Sequence, residues 1–130
     1  MRSLVIEDDQ ITGQVMKEIL LSFGECDHAE DGKSGLDNFL SACEDNNRYD
    51  VIFLDIMMPD LTGQQVLEKI REIEEKLGIN GLDMTKVVMS TALDDMNNIK
   101  LAFRNQAEGY IVKPIHKDTI VKTLLELELI

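Results

Sequence analysis

The chain has 130 residues, of which 44% are hydrophobic, and this is long enough for one domain with its own core. Its formal net charge of −12 argues against nucleic acids and anionic membranes as partners, because phosphate groups attract lysine and arginine. No apolar run approaches the ~20 residues that span a bilayer, and no signal peptide precedes the first apolar run, so we expect a cytoplasmic protein. Cys26 and Cys43 lack metal-binding spacing and are expected to be reduced and structural.

Five short strand-like runs, four of them apolar, alternate with segments in which apolar residues recur at helical spacing. The runs occupy residues 4–6, 26–29, 51–54, 87–89 and 109–112, and the second is the weakest. This alternation predicts an α/β domain with a doubly wound (βα)5 parallel sheet. The apolar residues that predict the first, third and fourth helices are Ile11, Val15, Met16, Ile19, Leu20 and Phe23; Val66, Leu67, Ile70, Ile73 and Leu77; and Met96, Ile99, Ala102 and Phe103.

Polar residues that can take part in chemistry follow four of these runs. The first run ends in Glu7 and Asp8, the third in Asp55, the fourth in Thr91 and the fifth in Lys113. Right-handed crossovers bring the carboxyl ends of parallel strands to one edge of the sheet, where the ligands of such sheets bind. In a 2-1-3-4-5 strand order, the first and third strands are neighbours, and the two aspartates meet between them. Loop residues are often polar, but acids, a hydroxyl and an amine in this order indicate a chemical site.

The clustered carboxylates predict a cation site. Two unit charges about 4 Å apart repel by about 4 kcal/mol at an effective dielectric constant of about 20. Either one carboxylate stays protonated or a divalent cation binds, and an all-oxygen ligand set favours Mg²⁺. Zinc is not expected, because His28 and His116 have no soft ligand at a suitable spacing. Mg²⁺ beside a carboxylate, a lysine and a hydroxyl suggests phosphoryl transfer with Asp55 as the nucleophile.

Together these residues resemble the receiver domain of two-component response regulators. The matching pieces are the acidic run 7–9, the stretch 54–59 followed by Gly63, Thr91 with Ala92, and the stretch 109–114. The resemblance extends over nearly the whole chain, and four motifs in the right order are more specific than any one alone. It implies a flavodoxin-like topology with the strand order 2-1-3-4-5, and a single receiver domain over residues 1–130.

In this family a phosphoryl group passes from a phosphohistidine to an aspartate, and the resemblance assigns that role to Asp55. The donor would be a sensor histidine kinase or a histidine phosphotransfer protein. Asp8, Asp55 and the backbone carbonyl of Met57 would bind Mg²⁺ directly, and Glu7 mainly through water. The protein would catalyse only its own phosphorylation and dephosphorylation, and so would not be an enzyme that acts on other substrates.

The resemblance also implies a conformational switch. Lys113 would contact the phosphoryl group, Thr91 would move toward it, and Tyr110 would turn inward into the vacated space. The face formed by the fourth and fifth predicted helices and the fifth strand would then change and bind a downstream protein, or a second copy of the chain in a homodimer. Family members usually hold the bond before the matching proline in cis, so we predict a cis peptide between Lys113 and Pro114.

Three features distinguish this chain. Met57 and Leu93 lie two residues after Asp55 and Thr91, at positions that border the path of the hydrolytic water in the family. Neither side chain can orient water, so we expect slow to moderate self-catalysed dephosphorylation, unless both residues merely pack. The segment 72–85 is longer than usual and is expected to be a surface insertion, with partner docking as the alternative. The chain ends at Ile130, so we expect no output domain and a signal that leaves through protein contact.

Three other functions share part of this pattern. A haloacid-dehalogenase-like phosphatase also uses a strand-end aspartate with Mg²⁺, but it needs a second acid where this chain has Met57. A flavodoxin-like cofactor carrier needs a phosphate-binding loop after the first strand, where residues 7–9 would repel phosphate. An interaction module that has lost phosphorylation is disfavoured by the intact set of acids, hydroxyl and lysine.

Overall fold

The computed structural model describes residues 1–92, 100 and 107–130. Within these residues, five strands form one parallel sheet in the order β2-β1-β3-β4-β5, which confirms the predicted fold class and strand order. The strands are β1 (Ser3–Ile6), β2 (Cys26–Ala29), β3 (Val51–Asp55), β4 (Lys86–Thr91) and β5 (Gly109–Val112). All residues of the central strand β3 are buried, as its apolar run predicts.

The α-helices of the described ranges are α1 (Gln10–Leu21), α2 (Gly32–Glu44), α3 (Gly63–Lys76) and α4 (Lys117–Glu126). Two of them begin at side-chain caps: Asp31 accepts a hydrogen bond from the Ser34 amide at 2.7 Å, and Thr62 with Gln65 forms a capping box. The helix predicted between β4 and β5, with Met96, Ile99, Ala102 and Phe103, lies outside the described residues.

Two hydrophobic cores cover the two faces of the sheet. Successive side chains of a strand point to opposite faces, so Leu4 and Ile6 of β1 join one core and Val5 joins the other. The first core is completed by α2 and α3, and the second by α1 and α4. Both cores include a fully buried phenylalanine, Phe39 or Phe53, whose burial contributes roughly 1.5–3 kcal/mol. This double-sided packing places every strand end at a defined position along one edge.

Three residues in the apolar patterns that predict the first and third helices are exposed instead. Ile11 is 76% exposed and Val15 is 45% exposed, because α1 packs on the sheet through Gly13, Met16 and Leu20. Leu77 is 54% exposed and follows the last residue of α3. The apolar stripe in the sequence is therefore wider than the surface that the sheet covers.

A buried ion network, which we call the α3 clasp, holds α3 against the amino-terminal ends of β4 and β5. Arg71 pairs with Glu74 at 2.6 Å and donates to both carboxylate oxygens of Glu108 at 3.0 Å. Glu74 accepts the Thr85 amide hydrogen at 2.8 Å, and Glu108 accepts that of Val87 at 2.6 Å. Two carboxylates thus satisfy backbone groups at the edge opposite the strand-end acids.

The segment before β4 forms an exposed turn at the same amino-terminal edge. A single 3₁₀ turn, Gly81–Asp83, follows α3, and Gly78 and Gly81 have φ angles of 71° and 60°, which favour glycine. Leu82 at its tip is 93% exposed. Elsewhere in the described ranges, Cys26 and Cys43 are free thiols, and none of the helices has the length and hydropathy that a membrane span requires.

Candidate functional site

Three carboxylates meet at the carboxyl-terminal edge of the sheet. Glu7 and Asp8 follow β1, Asp55 ends β3, and one ligand oxygen from each lies within 4.8 Å of the others. The strand pairing explains this, because Ile6 is in register with Leu54 and the next residues of both strands emerge side by side. Glu7 is 1% exposed and Asp55 is 4% exposed, whereas Asp8 faces solvent. The structure therefore brings together the acids that the sequence assigned to one site.

Lys113 completes the site from β5. Its ammonium nitrogen lies 2.9 Å from Glu7 Oε1 and 3.2 Å from Asp55 Oδ1. The backbone amide of Lys113 donates to the Thr91 carbonyl at 2.8 Å, which ties the end of β5 to the end of β4. The peptide bond between Lys113 and Pro114 is cis, as predicted. One ammonium thus faces two buried carboxylates, and the cluster retains an excess of negative charge.

The electrostatics of the site are dominated by burial and by like charge. Burial, a hydrogen bond with Glu7 and the charge of Glu7 raise the pKa of Asp55 to about 7, although Lys113 acts in the opposite direction. Burial acts to lower the pKa of Lys113, but its hydrogen bond with Glu7 and the charges of both carboxylates outweigh this and raise it. Lys113 therefore stays charged, and Asp55 holds a proton near neutrality when no cation is bound.

Magnesium affinity is expected to increase as pH rises toward 7. Cation binding requires the charged form of Asp55, whose pKa is about 7, so below that pH it must displace a proton. We expect the Kd for Mg²⁺ to be about tenfold weaker at about pH 6 than at about pH 8, measured by titration calorimetry.

The folding stability of the metal-free protein changes with pH in the opposite direction, because the folded chain holds the proton of Asp55 more tightly than the unfolded chain does. The stability of the metal-free protein should therefore decrease between about pH 4 and about pH 7.

The control for this titration is an Asp55→Asn variant, whose amide has no proton to displace. Its weaker Mg²⁺ binding should depend much less on pH over the same range. Equal pH dependence in the two proteins would contradict the assignment of the displaced proton to Asp55.

The two residues assigned to the switch lie on β4 and β5. Thr91 is 2% exposed, ends β4, and donates its hydroxyl hydrogen to the Ala92 carbonyl at 3.2 Å. Asp55 is in register with Ser90, so Thr91 lies one residue further along the neighbouring strand. Tyr110 is in register with Met89 and its side chain is 43% exposed. The Thr91 hydroxyl is thus bonded to the backbone, and the tyrosine faces outward.

The loop after β3 is held close to Asp55. The Met57 amide donates to Asp55 Oδ1 at 3.3 Å, while the Met57 side chain is 66% exposed. The Gly63 amide donates to the Ile56 carbonyl at 2.9 Å, and a Cβ at Gly63 would lie 2.5 Å from the Asp55 carbonyl oxygen. Glycine is required there by this close approach, beyond the turn that the sequence indicated. Leu93, the other residue expected beside the hydrolytic water, lies outside the described residues.

Sequence reasoning missed the direct contact between Glu7 and Lys113. The resemblance implied that Glu7 acts mainly through water, but its side chain is buried, pairs with Lys113, and accepts the Asp9 amide hydrogen at 3.3 Å. His28, expected to be an ordinary strand residue, lies in β2 with Nε2 2.9 Å from the Glu7 carbonyl oxygen. The ring fills the space left by Gly13, where a Cβ would lie 2.2 Å from it. The sequence feature that pointed to Glu7 as a site residue was its position directly after the first strand.

The donor set fits a hard divalent cation. It offers carboxylate oxygens from two buried residues and one exposed residue, and burial together with the hydrogen bond and charge of Glu7 raises the pKa of Asp55. Hard cations such as Mg²⁺ bind oxygen ligands and retain several waters, which the exposed side of the cluster permits. No soft ligand belongs to this group of residues. A cation held by these residues would lie next to a buried carboxylate and a lysine, an arrangement suited to phosphoryl transfer.

Comparison with known proteins identifies one family. A family model described as the response regulator receiver domain matches residues 4–125. The transcriptional activator protein IrlR of Burkholderia pseudomallei is 33% identical over 115 residues, which are 88% of this chain and 44% of IrlR. The cell cycle transcriptional regulator CtrA of Caulobacter vibrioides is 33% identical over 122 residues, which are 93% of this chain and 47% of CtrA. The chain therefore spans less than half the length of these curated relatives.

Solved structures share the whole fold. The chemotaxis protein CheY4 of Vibrio cholerae superposes with a TM-score of 0.81 at 26% identity, and the match covers 96% of both chains. The receiver domain of the Francisella response regulator 1452 superposes with a TM-score of 0.73 at 31% identity, and it covers 97% of this chain and 94% of the other. The range matched by the family model, residues 4–125, includes all the strand-end residues identified in the sequence.

Proposed function

Because the chain belongs to the response regulator receiver domain family, we propose that it is a phosphorylation switch of a two-component phosphorelay with Asp55 as the phosphoacceptor. The donor is the phosphohistidine of a sensor kinase or of a histidine phosphotransfer protein. The observation that most directly supports this is the contact of Lys113 with both Glu7 and Asp55 next to Asp8. That arrangement combines a nucleophile, a cation site and a fixed positive charge in one cleft.

The proposed transfer uses groups that already point at one another. An oxygen of Asp55 forms a bond to phosphorus while the phosphorus–nitrogen bond of the donor breaks, and the electron pair of that bond returns to the imidazole. The Lys113 ammonium, now 3.2 Å from Asp55 Oδ1, neutralises an oxygen of the transferred group. The raised pKa of Asp55 means that it must lose its proton before it can attack.

Asp8 and Asp55 would hold the metal, with the Met57 carbonyl as a third ligand and Glu7 acting mainly through water. If Mg²⁺ were bound there, its positive charge would favour the ionised form of the carboxylates and would stabilise the negative charge on the phosphoryl oxygens. Glu7 has a second role in this chain, since its contact with Lys113 holds the lysine over the cleft before the phosphoryl group arrives.

The output of the switch is a change at β5. The Thr91 hydroxyl, which now donates to Ala92, moves to an oxygen of the phosphoryl group. Tyr110, now 43% exposed, turns inward, and the surface around β5 and α4 presents a new shape to a downstream protein or a second copy of the chain. The protein acts in the cytoplasm and turns over no substrate other than its own phosphoryl group.

The direct test is incubation with Mg²⁺ and acetyl phosphate followed by intact mass measurement. We expect the mass of one phosphoryl group to be added, and chelation of Mg²⁺ to prevent this. Turnover of external phosphate esters without retained label would indicate a phosphatase. A protein that stays unlabelled at high donor concentration would be an interaction module that has lost phosphorylation.

Dephosphorylation should be faster in a Met57→Asn variant than in the natural chain. The Met57 side chain is 66% exposed at the mouth of the site and offers no hydrogen-bonding group, whereas an amide can hold the attacking water. We expect the phosphoryl half-life to shorten severalfold, or about tenfold at most. The measurement is loss of the phosphoryl mass after removal of the donor. Met57→Leu is the matched control, because it keeps an apolar side chain and should leave the half-life unchanged.

A further inference from the structure

The α3 clasp connects the reactive edge of the sheet to the opposite edge through one helix. The first residue of α3, Gly63, donates to the Ile56 carbonyl in the loop that follows Asp55. Two turns further along, Arg71 donates to both carboxylate oxygens of Glu108, which immediately precedes β5. A helix of this length extends about 20 Å, which is close to the length of the strands beside it. The Asp55 loop and the start of β5 are therefore held by the same rigid element.

Glu108 also determines where β5 begins to pair with β4. Its backbone amide donates to the Val87 carbonyl at 2.9 Å, and its carboxylate accepts the Val87 amide hydrogen at 2.6 Å. One residue thus satisfies both backbone groups of Val87 on the side that faces β5. A carboxylate here takes the place of a strand carbonyl, and the ladder begins at a defined residue. The Glu108 side chain is 24% exposed and the Arg71 side chain is 11% exposed, so both partners of this ion pair are largely buried.

Among the described residues, β5 is an edge strand of the sheet. It has four residues and is last in the sheet order, so β4 is its one strand neighbour. A slip of one residue would turn its side chains to the opposite faces. Lys113 directly follows the strand, and its ammonium must reach the ends of β1 and β3 to contact Glu7 and Asp55. A small displacement of β5 therefore alters the geometry of the cleft.

We infer that Glu108 is a positioning residue. Through its bidentate contact with Arg71 and its hydrogen bond with the Val87 amide, it sets the register of β5 against β4 and the position of β5 along the sheet. Lys113 can then reach Asp55, and the backbone that carries Tyr110 is held in place. This inference rests on the proposed phosphoacceptor function for its kinetic consequence. Its structural part, the placement of β5, does not.

The test compares Glu108→Ala and Glu108→Gln with the natural chain and with Tyr49→Phe. Tyr49 is 3% exposed and donates its hydroxyl hydrogen to Asp27 at the same amino-terminal edge, on the β1 and β2 side. Its loss weakens that edge without touching β5. We expect phosphorylation of Asp55 by acetyl phosphate to slow about tenfold in Glu108→Ala and about threefold in Glu108→Gln, and to stay within about twofold in Tyr49→Phe.

A measurement of magnesium affinity distinguishes the loss of the positioning role of Glu108 from general damage to the fold. The metal-binding carboxylates belong to β1 and β3, so Glu108→Ala should bind Mg²⁺ at least as tightly as the natural chain while phosphorylation slows. Loss of Mg²⁺ affinity in proportion to the rate, or a phosphorylation rate within twofold of the natural chain, would overturn the inference. Glu108→Gln keeps an acceptor for Val87 and can be tested if the alanine variant does not fold.

A spectroscopic measurement tests the placement of β5 without phosphorylation. The chain contains two tyrosines, so fluorotyrosine labelling gives two ¹⁹F signals, and Tyr49→Phe assigns them. We expect the Tyr110 signal to shift in the Glu108 variants while the Tyr49 signal stays in place. An unchanged Tyr110 signal would overturn the inference. A natural chain that takes up no phosphoryl group, with Tyr110 still shifted by Glu108→Ala, would instead refute the proposed function alone.

Discussion

An Asp55→Asn variant should take up no phosphoryl group from acetyl phosphate and Mg²⁺. The amide is a poor nucleophile and a weaker ligand for a hard cation, so the acceptor is lost and the metal site is weakened. Intact mass measurement should show no added phosphoryl group under conditions that label the natural chain fully. Asp37→Asn is the matched control, because Asp37 is exposed on α2 and its loss should leave labelling unchanged. Labelling of Asp55→Asn to the level of the control would show that another residue is the acceptor.

The same variant should make the metal-free protein more stable. A neutral amide removes the repulsion from buried Glu7 and the cost of burying a second negative charge, although it also weakens the pairing with Lys113. We expect a gain of about 1–3 kcal/mol at about pH 8, measured by urea unfolding. The gain should shrink toward zero at about pH 5, where the pKa of about 7 keeps Asp55 protonated in the natural chain. A loss of stability at high pH would contradict the electrostatic account of the site.

A Glu74→Ala variant should lose about 3–5 kcal/mol of unfolding free energy. Glu74 is 1% exposed, and its removal leaves the Thr85 amide without its acceptor and Arg71 without its shortest ion pair. An unpaired buried group is costly because water cannot reach it to replace the lost partner. Glu74→Gln should lose less, since the side-chain carbonyl can still accept the Thr85 hydrogen. The measurement is the urea midpoint for each variant at constant pH.

The neighbouring residue provides the control for this prediction. Glu75 is exposed on the outer face of α3, and Glu75→Ala removes the same charge from the same helix turn. We expect its effect to stay within about 0.5 kcal/mol. If the two alanine variants lost equal stability, the effect would come from helix propensity or net charge and not from the α3 clasp.

The reactive edge was predictable because it depends on short stretches of sequence. Four of the five strands contain a local apolar run that ends where a polar residue begins, so Asp55 and Lys113 could be placed at strand ends without knowledge of the fold. Parallel connections then bring such ends to one edge, whatever the intervening helices contain. The strand order came from the family resemblance, and the sheet confirms it.

Which helix residues are buried was less predictable. The periodicity of apolar residues shows which side of a helix faces the core, but it does not show how many residues on that side are covered. Leu77 has the spacing of a core residue but is 54% exposed beyond the end of α3. Glu74 lies in an acidic stretch that suggests a solvated surface, yet it is one of the most buried charged residues described. Whether such a residue is buried or exposed depends on where the sheet ends and on which partners the rest of the chain supplies.

The sequence by itself determined the residue types at the strand ends, the alternation that makes a doubly wound sheet, and the oxygen-only ligand set from which a hard cation is predicted. Only the tertiary structure decided that Glu7 contacts Lys113 directly, that the pKa of Asp55 rises to about 7, and that Glu108 joins Arg71 across 37 positions of the chain. The physical reason is that burial and charge pairing depend on distances between groups remote in sequence. Local patterns identify the groups, whereas packing sets those distances.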